Sequence, residues 1–300
     1  MKLGIFFGAA GTMASGDDLV ADVEAAAAAG FGSYWVPHLP WGADALTALA
    51  VAGREVPDIE LGTAVVPTWP RHPLTLAQQA LTTSALVGDR LALGIGLAHK
   101  PVVEGMWGIP FDKPVRHARE YLEILAPALR NEKVSVAGET LTGRSEPIMK
   151  GAPTPKLYVA ALGPQMLKLS ARYADGTILW MTGKETVRNH TVPVMREAAE
   201  AAGRPQPRVI AGIPILCTDD VEAGRELAAN QFAIYGQLPS YRAMLDREGL
   251  EGPADFAIIG NEDEVAERLQ ALADAGVDDI ICSEFGPDLT RTRACLATLV

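Results

Sequence analysis

Five histidines, three cysteines and a scatter of carboxylates are the groups in this 300-residue chain that can move protons, attack carbonyls or hold metals. His38, His72, His99, His117 and His190 include no HxH or HxxxH pair, whereas a divalent ion needs three or four convergent donors. No bound metal is expected. Cys217, Cys282 and Cys295 are odd in number and lack CxxC spacing, which fits neither a disulfide framework nor a zinc ribbon and agrees with a reduced cytoplasm. Glycoside hydrolysis needs two facing carboxylates, yet only Glu284, with Glu104 from a loop, stands near a strand end. What remains is imidazole among small, apolar and tryptophan residues. That setting suits a flat, electron-accepting cofactor better than hydrolysis. Gly8-Ala-Ala-Gly11 lacks the GxGxxG spacing of a dinucleotide-binding fold.

These groups must be positioned by a repeated unit. Ala26 to Gly30 leads into Tyr34-Trp-Val36, and Leu272 to Gly276 leads into Ile280-Ile-Cys282: a helix ended by glycine, then a strand apolar on both faces. Eight such strands are predicted, at Leu3–Phe7, Ser33–Pro37, Ile59–Val66, Leu91–Leu97, Leu157–Leu162, Gly176–Met181, Val209–Cys217 and Asp279–Phe285. Helix-capable sequence separates them, so the expected fold is a single (β/α)8 TIM barrel over residues 1–300. Leu3–Phe7 reads as a buried first strand rather than a secretory signal. No run of 18 apolar residues predicts a membrane span, and 37 acidic against 26 basic residues (net charge −11) argue against nucleic acid and anionic lipid as partners.

Two connections exceed what a barrel needs. After the fourth strand, His99 to Gly151 holds an amphipathic helix around Arg116–Leu129 and an alternating stretch, Lys133–Leu141, that predicts a small hairpin. After the seventh, Val221 to Ala275 holds about three helical segments. Such insertions shape a substrate pocket or a dimer interface. Active sites of these barrels lie at the carboxyl ends of the strands, where this chain has His38, Thr68-Trp69, Ala98-His99, Gly163-Pro164, Thr182-Gly183 and Ser283-Glu284.

Lys2-Leu-Gly-Ile-Phe-Phe7, Tyr34-Trp-Val-Pro-His38 followed by Trp41, Leu61-Gly-Thr-Ala-Val-Val-Pro67 running on to Arg71-His-Pro73, Asp89 to Gly96, and Val159-Ala-Ala-Leu-Gly-Pro164 with Ala174-Asp-Gly176 together resemble the luciferase-like monooxygenase superfamily. More narrowly, they resemble its branch that uses the deazaflavin coenzyme F420. The resemblance implies a cytoplasmic, homodimeric (β/α)8 oxidoreductase that moves a hydride between cofactor carbon C5 and a small organic substrate. It implies reduction of an activated C=C, imine or carbonyl. His38, beside the ring with Trp41, would exchange the accompanying proton, and His99 would stabilise developing charge. Ala64 and Val65 match a strand-three bulge whose cis peptide backs the ring. Gly163, Pro164 and Gln165, with Thr182 and Gly183, match a phosphate cradle of free backbone N–H groups. An FMN-dependent monooxygenase and a flavin-binding barrel without turnover are the alternatives.

Other residues carry plainer readings. His72 reads as a helix-entry residue, His117 and His190 as surface or packing groups, and Arg90 as structural. Trp107 joins Trp41 as a pocket candidate, while Trp69 and Trp180 read as core. Lys184 reads as a solvated helix-start lysine, and Arg144 and Lys150 as possible guides for an anionic cofactor tail. The chain departs from the sugar-phosphate and alcohol dehydrogenases of the branch at Pro37, where they carry aspartate before the histidine, and at Ala98-His99, where they carry an acid. Both departures weigh against a glucose-6-phosphate dehydrogenase and against a His38 polarised by its chain neighbour.

Overall fold

Gly30 and Gly276 take left-handed backbone angles (φ 92° and 108°), ending helices just before two of the buried strands, as glycine there permits. The computed structural model describes residues 1–7 and 16–300; Gly8 and Gly11 lie outside the described residues. The chain runs β1 (Lys2–Phe6), α1 (Gly16–Ala28), β2 (Ser33–Val36), α2 (Ala45–Glu55), β3 (Glu60–Thr63), β4 (Val66–Pro67), α3 (Pro73–Val87) and β5 (Leu91–Gly96). The first long insertion follows as α4 (Lys100–Gly105), α5 (Pro114–Leu129) and the hairpin β6 (Val134–Ala137) and β7 (Thr142–Ser145). Then come β8 (Lys156–Ala160), α6 (Pro164–Tyr173), β9 (Gly176–Trp180), α7 (Lys184–Thr186), a π turn, α8 (Val192–Ala201) and β10 (Arg208–Cys217). The second insertion holds α9 (Val221–Gln231), a 3-10 turn at Ala233–Gln237, α10 (Pro239–Glu248), another at Pro253–Phe256, β11 (Ile258–Gly260) and α11 (Glu262–Asp274), before β12 (Asp279–Glu284) and α12 (Thr290–Ala297).

β1, β2, β3, β5, β8, β9, β10 and β12 pair in parallel around a closed ring, β12 returning to β1 with Leu3 opposite Ile280. The fold is the expected TIM barrel, with one local correction. The third strand carries the expected cis peptide at Ala64–Val65, and β4 pairs from Val66, opposite Ile95. The correction is that the second insertion is not purely helical. Ile258–Gly260 adds a parallel strand beside Ile215–Cys217, the end of β10, and three residues are too few for periodicity to declare.

The barrel interior is filled by Phe6, Trp35, Tyr158, Ile178, Ile210 and Ile281. Gly62 makes room for the Trp35 indole, since a Cβ there would lie 2.1 Å from the ring. Trp35 Nε1 donates to Ser33 Oγ at 2.9 Å, so its buried N–H is satisfied. At the amino end, Arg208 closes the floor by donating to the Asp279 carboxylate, to Glu60 Oε2 at 3.2 Å and to Tyr158 Oη at 2.9 Å. A plugged floor leaves the carboxyl end as the open one.

Candidate active site

At that open end the strands diverge around a cavity of about 940 Å³, walled by Phe6, Ala64, Val65, Trp180 and Ile281 and reached past Trp41. The volume lies in the upper part of the usual range for small-molecule sites, roughly 300–1,000 Å³. Ala98 and Met181, both left-handed (φ 55° and 50°), turn the chain just after β5 and β9. Such angles are uncommon outside glycine and gather at functional sites.

His38 lines the cavity from the segment after β2. The backbone N–H of Ala45, the first residue of α2, donates to His38 Nδ1 at 3.3 Å. The neutral ring therefore carries its proton on Nε2, leaving Nε2–H for the cavity. Burial and the Arg71 guanidinium push the His38 pKa below its ordinary value, and Asp44 opposes them. Asp44 Oδ2 stands 3.9 Å from Nδ1 and receives Arg71 Nη2 at 2.8 Å. Asp44 Oδ1 takes the N–H of Thr47 and Gln79 Nε2. Burial would raise this carboxyl, but the bonds from Thr47 and Arg71 hold it below the ordinary carboxylate range.

Asp44 is not among the sequence candidates. Position 37 holds proline rather than an acid, whereas the chain after His38 folds back and presents a carboxylate six positions later. The available signal was Asp44 itself as a helix-capping residue directly before an apolar helical run.

His99 also lines the cavity, at the start of α4, where its side chain caps nothing. Burial lowers its pKa. Its neighbours are aromatic: Tyr235 at 6.4 Å and Tyr241 at 6.0 Å, both edge-on. Trp41, Trp107, Ala64, Val65 and Gly163 line the same space, and Trp180 does so contrary to its core reading. Trp180 stands edge-on to Phe6 at 5.4 Å and to Tyr235 at 6.0 Å, bridging the barrel interior and the second insertion.

The two helix starts expected to cradle a phosphate differ. Gly163 opens α6 with no side-chain cap, at the cavity edge, and a Cβ there would meet nothing within 4 Å. Pro164 supplies no N–H, so Gln165 and Met166 hold the first free backbone donors of α6. Thr182 is buried and Gly183 half-buried, and neither these two nor Pro164 and Gln165 line the cavity. Beyond Gly183 the donors are taken: Glu248, the last residue of α10, accepts from Glu185 N at 3.3 Å and Thr186 N at 2.5 Å. Its carboxylate covers Gly183 so closely that a Cβ would meet Oε2 at 2.3 Å.

Several sequence candidates lie elsewhere. Glu284 is clamped by Arg293, which donates to both its oxygens at 2.8 Å and also reaches Asp22 at 3.1 Å. Glu104 stands on the rim, accepting from Phe111 N at 3.2 Å. His72 caps α3, accepting from Leu74 N at 3.2 Å. His117 is a packing residue, stacked on Trp69 at 3.9 Å and 3°, and burial takes its pKa down to about 4 against the opposing pull of Glu120. Arg90 donates to the carbonyls of Gly53, Val56 and Ile59, and Lys184 is exposed. Arg144 and Lys150 are exposed and off the cavity. The hairpin bearing Arg144 is drawn to the outer face of α3 and α5, where Thr142 O bonds His72 Nε2 at 3.0 Å and Gly143 abuts Ile124.

Fold and site define a barrel enzyme with an apolar cavity and histidines at the carboxyl ends of its strands. The family profile for luciferase-like monooxygenases matches residues 1–279, and the chain belongs to that family. It is 26% identical over 305 aligned positions to a 5,10-methylenetetrahydromethanopterin reductase of Archaeoglobus fulgidus, covering 90% of each chain. The coenzyme F420-dependent tetrahydromethanopterin reductase of Methanopyrus kandleri superposes with a TM-score of 0.84 at 21% identity, over 100% of this chain and 98% of that one. The FMN-bound oxygenating constituent of 3,6-diketocamphane monooxygenase from Pseudomonas putida superposes with a TM-score of 0.79 at 17% identity, over 100% and 96%. At these identities the two structures speak for the fold. No helix among the described residues is long and apolar enough to cross a membrane.

Proposed function

We propose that this enzyme is a coenzyme F420-dependent oxidoreductase, acting as a homodimer, that reduces an activated C=C, imine or carbonyl of a small organic substrate. The observation that carries the reading is His38, whose Nδ1 is occupied by a helix N–H and whose Nε2–H is left for an apolar, aromatic-walled cavity. Ala64, Val65 and Trp41 line the cavity and would hold the flat ring. The open start of α6 at Gly163, with the donors of Gln165 and Met166, suits the cofactor's phosphate. The start of α7 does not, because Glu248 already supplies an anion there.

When bound, reduced F420 supplies a hydride from C5. The chain's own part is to position and to exclude water, and to deliver a proton through His38. In the reductive direction His38 gives that proton as imidazolium, with Nδ1–H turning from Ala45 to Asp44. His99, neutral and without a counter-charge, offers a hydrogen bond to a polar substrate atom.

An FMN-dependent monooxygenase is the second reading, favoured by the FMN-bound neighbour of the same fold. Fluorescence titration of the purified protein with oxidised F420 and with FMN separates the two. Micromolar or tighter binding of F420 alone is expected; preference for FMN transfers the protein to the oxygen-using reading, and binding of neither overturns both. His38→Ala should lower turnover by about 10²–10⁴-fold while F420 binding is retained, and an active variant would remove His38 from proton transfer.

A further inference from the structure

The cavity wall opposite His38 comes from the second insertion. The 3-10 turn Ala233–Gln237 and the start of α10 bring Tyr235, Gln237 and Tyr241 over the ends of β5 and β9. The Tyr235 and Tyr241 rings lie 5.0 Å apart at 67°, and His99 and Trp180 present edges to them. Four rings at steep mutual angles make a corner with both faces and edges available, the complement of a flat, conjugated ligand.

Charge is sparse around this corner. Apart from the two histidines, Lys100 and Glu104 are the ionisable acid and base among the lining residues, and they pair with each other at 3.7 Å on the rim. No arginine lines the space among the described residues. A carboxylate or phosphate entering the tyrosine corner would lose its hydration there, with the lining lysine, Lys100, out on the rim and already paired with Glu104, which is costly.

We propose that this corner is a substrate subsite for a neutral, flat, conjugated molecule, and that it rejects the anionic counterpart of the same ring. Calling the ligand a substrate rests on the hydride-transfer reading above. The ligand chemistry itself follows from the walls.

Calorimetric titration of the cofactor-free full chain with coumarin and with coumarin-3-carboxylate tests the proposal, with F420 titrated separately into each protein. Coumarin should bind at least tenfold more tightly than its carboxylate. Tyr235→Ala should weaken coumarin at least tenfold, while Gln237→Arg, which adds a cation at an exposed lining position, should erase or invert the preference. Equal or tighter binding of the carboxylate by the unaltered protein overturns the proposal, as does a preference that both variants leave untouched. The expected coumarin pattern without F420 binding upholds the subsite and sinks the cofactor reading. F420 binding with no preference between the coumarins does the reverse.

Discussion

His38 and Asp44 illustrate what a single residue contributes and what a sequence hides. A histidine between prolines at the end of an apolar strand is legible as a functional candidate. Its carboxylate partner is not, because their 3.9 Å approach depends on how the intervening segment folds back. Asp44 and Arg71 are the charged groups that set the titration of His38, in opposite directions. Asp44→Asn keeps a good helix cap but removes the group that favours the imidazolium and leaves Arg71 opposing it. The expected outcome is a His38 titration midpoint lower than in the unaltered protein, followed by NMR of the imidazole protons. The alkaline limb of the reductive rate, where the imidazolium is lost, should move down with it. A purely structural role for Asp44 would leave the midpoint in place.

Among the elements, α5 and the β6–β7 hairpin show where patterning suffices and where it stops. The amphipathic stretch and the alternation after it are readable. The position of the hairpin against α3 and α5 is not, since it turns on polar contacts to Glu120 and His72. Glu120 on α5 is the anchor, accepting from Glu139 N at 3.1 Å, Thr140 N at 2.7 Å, Thr140 Oγ1 at 2.6 Å and Leu141 N at 3.0 Å. Burial alone would raise its pKa; these bonds hold it down to about 2, from an ordinary 4.5. Because the folded state binds this proton less readily than the unfolded one, the stabilisation is complete above pH 4.5 and fades as pH falls toward 2. Glu120→Gln should therefore cost about 1–3 kcal/mol at neutral pH, with a smaller deficit at pH 3. Urea unfolding at the two pH values measures both, and an equal deficit would refute the ionic account. The three-residue β11 marks the opposite limit, an element too short to announce itself.

For the molecule as a whole, eight apolar strands separated by helices already imply a closed barrel. The group that seals its floor is invisible in sequence, because Arg208 and Glu60 stand 148 positions apart. Asp279 is 3% exposed beneath Arg208, so Arg208→Met would leave a carboxylate buried without its cation. The expected loss is about 3–5 kcal/mol, visible as a lower midpoint in chemical denaturation. The F420 affinity of the fraction still folded should be unchanged, because the floor lies at the opposite end from the cavity.

The Glu248 contact extends beyond local capping. It ties the last turn of α10, and through it the tyrosine wall, to the backbone after β9 at a glycine where an added Cβ would displace the Glu248 carboxylate. The second insertion is thus not an interchangeable cassette. Transplanting it between related barrels would require moving the acid and its glycine together, so recombination within the family is constrained by a pair of residues that touch no ligand.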